Sequence, residues 1–89
     1  MTEAATSATP TDQGIIMYGA DWCGDCRRAK AVLDREGTSY TYVDLVATPE
    51  AAEQAQAISG RPNIPVIVFP DGSHMVEPTN KELLAKLAN

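Results

Sequence analysis

The chain has 89 residues, 44% of them hydrophobic and 21% charged, with a formal net charge of −5. That length supports one small domain, burying somewhat over about 60% of the surface its unfolded chain exposes, and no apolar run approaches the roughly 18 residues of a membrane span. The acidic balance and the seven scattered cations argue against nucleic acid, whose phosphates are met by clustered Lys and Arg.

Residues 1–13 are rich in Thr, Ala and Ser, with no cation and no apolar stretch. A secretory leader needs a basic start and an apolar core. The stretch is therefore expected to be a disordered tail before a domain spanning 14–89, and the chain is expected to stay in the cytoplasm.

The continuous apolar run Ile15 to Tyr18 predicts a short central strand covered on both faces. A helix is predicted from near Cys23 to Glu36. Ala29, Val32 and Leu33 keep i, i+3, i+4 spacing, and Gly37 suits a left-handed C′ position. Ser39 to Leu45, where Tyr40, Thr41, Tyr42 and Val43 cluster, predicts a second strand. Thr48 as N-cap and Pro49 at the first helical position predict a second helix ending at Gly60, with a weak stripe of Ala52, Ala55, Ala57 and Ile58.

Pro65 to Phe69 predicts a third strand, Pro70-Asp71-Gly72-Ser73 a turn, and His74 to Glu77 a fourth strand. Thr79 to Leu87 predicts a last helix, with a capping box in Thr79 and Glu82 and a stripe of Leu83, Leu84 and Leu87. The order is βαβαββα. The first βαβ unit is expected to be right-handed and parallel, and the short turn makes the last two strands antiparallel. The fold class is α/β: a four-stranded mixed sheet flanked on both faces by three helices.

The chemistry concentrates in Trp22-Cys23-Gly24-Asp25-Cys26-Arg27-Arg28, which holds the two cysteines of the chain at a strand-to-helix junction. A C-x-x-C in that context has the form of a thioredoxin-like redox site. Cys23 falls at the first helical turn, where unpaired N–H groups and the positive dipole end stabilise a thiolate. Cys26, three residues on, lies on the same side and can donate to that thiolate. Cys23 is thus the expected nucleophile and Cys26 the resolving thiol.

Gly24 lets the backbone approach a partner closely. Asp25 competes with the thiolate for the helix dipole, whereas Arg27 and Arg28 favour the thiolate, so a reducing poise is expected. Other readings of the pair stand beside this one. Zinc wants four ligands, and His74 is the one candidate beyond the acids. Two inert core thiols would have the same spacing. His74 reads as an exposed strand residue, Trp22 as either core filler or the rim of the site, and Arg27-Arg28 as either a solvated helix face or a tuning pair.

Trp22-Cys23-Gly24-Asp25-Cys26 after a strand, with Asn63-Ile64-Pro65-Val66 before a later one, resembles a thioredoxin-superfamily redoxin. The resemblance implies that Pro65 is cis and lies against the cysteine pair, and that the Ile64 backbone pairs with the substrate's sulfur-bearing segment. The short N-terminus, with no βα unit before the first strand, is similar to that of glutaredoxins. Within them the layout is similar to that of the mycoredoxin group over residues 14–88, through Trp22-Cys23-Gly24, Arg28 with Lys30, Ile64-Pro65, Asp71-Gly72-Ser73 and Glu77-Pro78-Thr79 to Leu87.

Three stretches depart from glutathione-using relatives or from that group. Gly19-Ala20-Asp21 carries an acid where a Lys is usual, Val76-Glu77-Pro78-Thr79 lacks the usual Gly-Gly, and Asp25 replaces a bulky residue such as Tyr. The resemblance implies a monomeric, cytoplasmic thiol–disulfide oxidoreductase without bound cofactor. Its substrates would be mixed disulfides between proteins and a low-molecular-weight thiol, mycothiol rather than glutathione, with that thiol and its reductase as partners.

Its rivals are an electron donor to ribonucleotide reductase that is itself reduced by a thioredoxin reductase, echoed in Ser59-Gly60-Arg61-Pro62, and an iron–sulfur carrier bridged through Cys23 of two chains. A third is a non-catalytic interaction domain.

Overall fold

The computed structural model describes residues 14–88, and the predicted tail of residues 1–13 lies outside them. The elements are β1 (Ile15–Gly19), α1 (Gly24–Arg35), β2 (Tyr40–Asp44), α2 (Ala51–Ser59), β3 (Val66–Val68), β4 (His74–Val76) and α3 (Asn80–Leu87). The sheet order is β2-β1-β3-β4. β1 runs parallel to β2, with Ile15 opposite Tyr40 and Gly19 opposite Asp44. β1 is antiparallel to β3, and β3 is antiparallel to β4. This is the predicted four-stranded mixed sheet with three helices.

Two apolar layers explain why β1 carries no alternation. On one face Ile15, Met17, Ile67 and Phe69 pack with Cys26, Ala29, Val32 and Leu33 of α1 and Leu83 of α3. On the other, Tyr18 and Val66 pack with Ala51 and Ala55 of α2. Each fully buried Val or Leu in such a layer is worth about 1.5–3 kcal/mol, so the Ala29, Val32 and Leu33 stripe is what fastens α1 to the sheet.

The helix ends follow the residues that begin and stop them. α1 closes in a Schellman motif: Gly37, at φ 68°, donates to the Asp34 carbonyl at 3.1 Å, and Thr38 donates to the Leu33 carbonyl at 3.0 Å. α3 opens with the predicted capping box, Thr79 Oγ1 accepting from Glu82 N at 3.0 Å and Glu82 Oε1 accepting from Thr79 N at 2.8 Å. In the β3–β4 turn Gly72 adopts φ 89° and donates to the Phe69 carbonyl at 2.9 Å, while Phe69 N donates to the Ser73 carbonyl at 2.9 Å, a β-turn closed by a left-handed residue.

The start of α2 differs from expectation. Thr48 does not cap it: Glu50 holds the cap position, without a side-chain cap bond. The Thr48 and Pro49 carbonyls accept from Ala51 N and Ala52 N at 3.0 Å each, three residues on, so the chain enters through a tight turn before α-helical bonding begins. The apolar stripe shifts with it. Ala51 and Ala55 are buried, whereas Ala52, Ala57 and Ile58 face outward. With mostly Ala to read, a one-residue change of phase leaves little trace in the pattern.

Candidate active site

Both cysteines meet where β1 hands over to α1. Cys23 is the N-cap of α1, in extended geometry, and its Sγ accepts from Cys26 N at 3.2 Å. A sulfur thus does what a Ser or Asp oxygen does at an ordinary helix start. The turn before it is closed by Cys23 N donating to the Ala20 carbonyl at 3.1 Å.

The two thiols differ sharply. Cys23 is half-buried, whereas Cys26 is 0% exposed. Burial pushes the Cys26 thiol up to about 12, and its side-chain contact with Cys23 adds to the shift. Beneath Cys26 lies Gly19. A Cβ at that position would meet Cys26 Sγ at 3.0 Å and Tyr42 Cε1 at 3.3 Å, so the end of β1 approaches the pair as closely as it does because it has no side chain.

Opposite the pair lies the segment leading into β3. The Ile64–Pro65 bond is cis, and the Ile64 carbonyl is 3.9 Å from Cys23 Sγ. The loop after β4 abuts that segment, with Glu77 N donating to the Pro65 carbonyl at 3.0 Å and Asn63 Nδ2 donating to Glu77 Oε1 at 3.1 Å. Trp22 is 71% exposed, which makes it rim and not core.

The charged residues of the motif engage one another and the neighbouring loops. Arg28 Nη2 pairs with Asp25 Oδ1 at 3.1 Å, while its Nη1 donates to Asn80 Oδ1 at 2.6 Å and to the Pro78 carbonyl at 3.3 Å. Arg27 Nη1 donates to the Asp21 carbonyl at 2.6 Å. Tyr42 OH donates to Asp21 Oδ1 at 3.3 Å, and Lys30 Nζ sits 4.0 Å above the Tyr42 ring. Burial and the Asp21 carboxylate raise the Tyr42 phenol above its ordinary range.

The family model for glutaredoxins matches residues 15–75, more than half of the chain. The chain belongs to the glutaredoxin family. It is 34% identical over 74 residues to a Mycobacterium tuberculosis protein provisionally assigned as a glutaredoxin, covering 82% of this chain and 88% of that protein. It is 31% identical over 74 residues to mycoredoxin 1 of Corynebacterium glutamicum, covering 82% and 91%.

Among solved structures it resembles the glutaredoxin of Brucella melitensis, with TM-score 0.63, 33% identity and coverage of 85% of this chain and 79% of that one. The fold also matches a glutaredoxin of Archaeoglobus fulgidus, with TM-score 0.76 at 24% identity, covering 86% and 88%. The protein is a mycoredoxin-like glutaredoxin and a thiol–disulfide oxidoreductase.

In this glutaredoxin Cys23 Sγ lies between Cys26 N and the Ile64 carbonyl, Trp22 stands exposed beside it, and Asp25 and Arg28 join one another instead of pointing singly at the sulfur. Asn80 was not singled out from the sequence, and Gly19, Asn63 and Glu77 entered only inside stretches quoted for the resemblance, without roles of their own. A Gly ending an apolar strand just before a C-x-x-C was the one local signal among them. His74 is exposed on the edge strand β4, and among the described residues no group of three or more His, Cys, Asp or Glu is arranged to hold a metal ion. No helix among them is long and apolar enough to cross a membrane.

Proposed function

We propose that this glutaredoxin works in the cytoplasm on mixed disulfides between proteins and a low-molecular-weight thiol, with Cys23 as the attacking sulfur and Cys26 as the resolving one. The contrast between the pair carries the reading. Cys23 Sγ is reachable and accepts a backbone N–H at a helix start, while Cys26 is enclosed and held protonated.

The Cys23 thiolate attacks the small-thiol sulfur of the mixed disulfide. A new Cys23–small-thiol disulfide forms as the old S–S bond breaks, and the departing protein thiolate takes a proton from water. A second small-thiol thiolate then attacks this adduct, freeing Cys23 and carrying both electrons' worth of oxidation away as the small-thiol disulfide. In the other route Cys26 attacks Cys23 Sγ, expels the small thiol and leaves the Cys23–Cys26 disulfide.

Trp22 forms the rim, the Ile64 backbone and Pro65 receive the substrate, and Asp25, Arg27 and Arg28 tune the thiolate. Mycothiol is the preferred small thiol. Asp21 and Asp25 next to the motif disfavour an anionic tripeptide more than an uncharged sugar thiol, and one relative is a mycoredoxin.

The decisive experiment offers the oxidised protein mycothiol, glutathione and a thioredoxin reductase separately, each with its recycling enzyme. Reduction by mycothiol is expected, with activity lost in Cys23→Ser and retained in Cys26→Ser. Preferential reduction by the flavoenzyme, or full activity in Cys23→Ser, overturns the reading.

A further inference from the structure

Glu77 holds the one left-handed backbone conformation among the described non-glycine residues, at φ 48°. An L side chain resists that region, and a residue preceding proline, as Glu77 precedes Pro78, is pushed toward extended backbone instead. Non-glycine residues persist in such a conformation where their surroundings over-determine it, and they cluster at ligand clamps and active sites.

The surroundings do over-determine Glu77. Its N–H donates to the Pro65 carbonyl at 3.0 Å and its Oε1 accepts from Asn63 Nδ2 at 3.1 Å. The next carbonyl, that of Pro78, accepts from Arg28 Nη1 at 3.3 Å, and Thr79 then opens the capping box. Residues 77–79 are thereby fastened to the Asn63–Pro65 segment on one side and to the redox helix on the other.

This fastening aims a charge. The Glu77 carboxylate is held over Asn63, one Cα step of about 3.8 Å from Ile64. The Ile64 carbonyl in turn is 3.9 Å from Cys23 Sγ. The other acids of the neighbourhood are differently placed. Asp25 is paired with Arg28 and the Asp21 carboxylate accepts from Tyr42 OH, away from the Ile64–Pro65 segment, whereas the Glu77 carboxylate accepts from the Asn63 amide next to that segment.

We propose that Glu77 is a specificity-determining residue. Its carboxylate, pinned beside the Ile64–Pro65 segment, disfavours disulfides whose small-thiol half carries an anion close to sulfur and favours uncharged or cationic ones. The proposal rests on the reading that Cys23 is the attacking sulfur.

The test uses three disulfides that differ in the charge two or three bonds from the sulfur's carbon: cystamine, hydroxyethyl disulfide and 3,3′-dithiodipropionate. Each reacts with the reduced full chain, and each rate is divided by that of N-acetylcysteine amide with the same disulfide. The normalised rate is expected to fall from cation to neutral to anion. In Glu77→Gln the cation-to-anion ratio is expected to drop about two- to fivefold, the range of a charge interaction at an exposed site. Glu77→Gly, which suits the left-handed backbone, is the second variant and is expected to show the same drop.

Glu36→Gln, at the opposite end of α1 from Cys23, removes the same charge and is expected to leave the ratio unchanged. A ratio that Glu77→Gln and Glu77→Gly leave at the wild-type value overturns the proposal, as does an equal drop in Glu36→Gln. Failure of the wild type to react with any of the three disulfides refutes the Cys23 assignment instead, and the proposal with it.

Discussion

Gly19 and Cys26 occupy one another's space: a Cβ on Gly19 would sit 3.0 Å from Cys26 Sγ and 3.2 Å from its Cβ. Cys26 cannot yield easily, because it is fully buried and its backbone is fixed within α1 among Met17, Ala29 and Leu33. Gly19→Ala is therefore expected to overpack the junction and cost about 1–3 kcal/mol. Urea unfolding of the reduced protein measures the cost, and faster alkylation of Cys26 would report its displacement. An unchanged midpoint with unchanged alkylation would show that the contact relaxes freely.

Cys26 also sets an alkaline limit on the reduced fold. Its thiol ionises near 8.5 when unfolded, as free cysteine does, but only near about 12 in the folded chain, chiefly through burial. Between those values the unfolded state has lost the proton that the native state still binds, so stability falls as pH rises. The contribution is complete below about pH 8.5. The slope of urea midpoint against pH across pH 8.5–10.5 should be shallower in Cys26→Ser than in the reduced wild type. Equal slopes would contradict the buried, protonated thiol.

Arg28 ties the redox turn to the segment ahead of α3 through Asp25, Pro78 and Asn80. Asp25 and Asn80 lie at the surface, where water replaces a lost donor and an ion pair is worth little, whereas Pro78 is buried. A double-mutant cycle with Arg28→Ala and Asp25→Asn is expected to give a coupling of about 0.3–0.5 kcal/mol. Arg28→Lys is expected to keep the charge pairing but lose the forked contact to Asn80 and Pro78.

Thr79 stands at the other end of that tie. Removing its hydroxyl in Thr79→Ala leaves Glu82 N without its acceptor and is expected to cost about 1 kcal/mol, measured as a shift in the thermal or urea midpoint. Thr79→Ser should restore most of it.

What could be read from sequence was whatever local chemistry dictates. Gly37 marked a left-handed position, Gly60 a helix end and Gly72 a turn, Thr79 and Glu82 spelled their capping box, and the unbroken apolar run of β1 announced a strand covered twice. The C-x-x-C named the site because its partners are four residues apart or fewer.

The contacts that shape the site span larger separations. Arg28 meets Pro78 and Asn80 from fifty and fifty-two residues away, and Cys23 meets Ile64 from forty-one. No periodicity carries such pairs, and Ile64 was found through resemblance. Glu77 was harder still, since nothing about a Glu before a Pro advertises positive φ. The start of α2 was misjudged for a different reason: Thr48 and Pro49 are good starting residues, but packing of Ala51 and Ala55 under the sheet decides the phase.

Under the proposed function the cap of α1 is the atom that enters the mixed disulfide. While Cys23 is a thiol or thiolate, its sulfur accepts the Cys26 amide proton and finishes the helix start. Once that sulfur is bonded to a second sulfur it has no charge and a poorer lone pair to offer, so the first turn loses its acceptor with each turnover. The Cys26 amide then becomes a reporter, exchanging with solvent faster in the mixed disulfide than in the reduced protein. The sulfur proposed to do the chemistry would then announce, through one backbone proton, whether the enzyme is loaded or waiting.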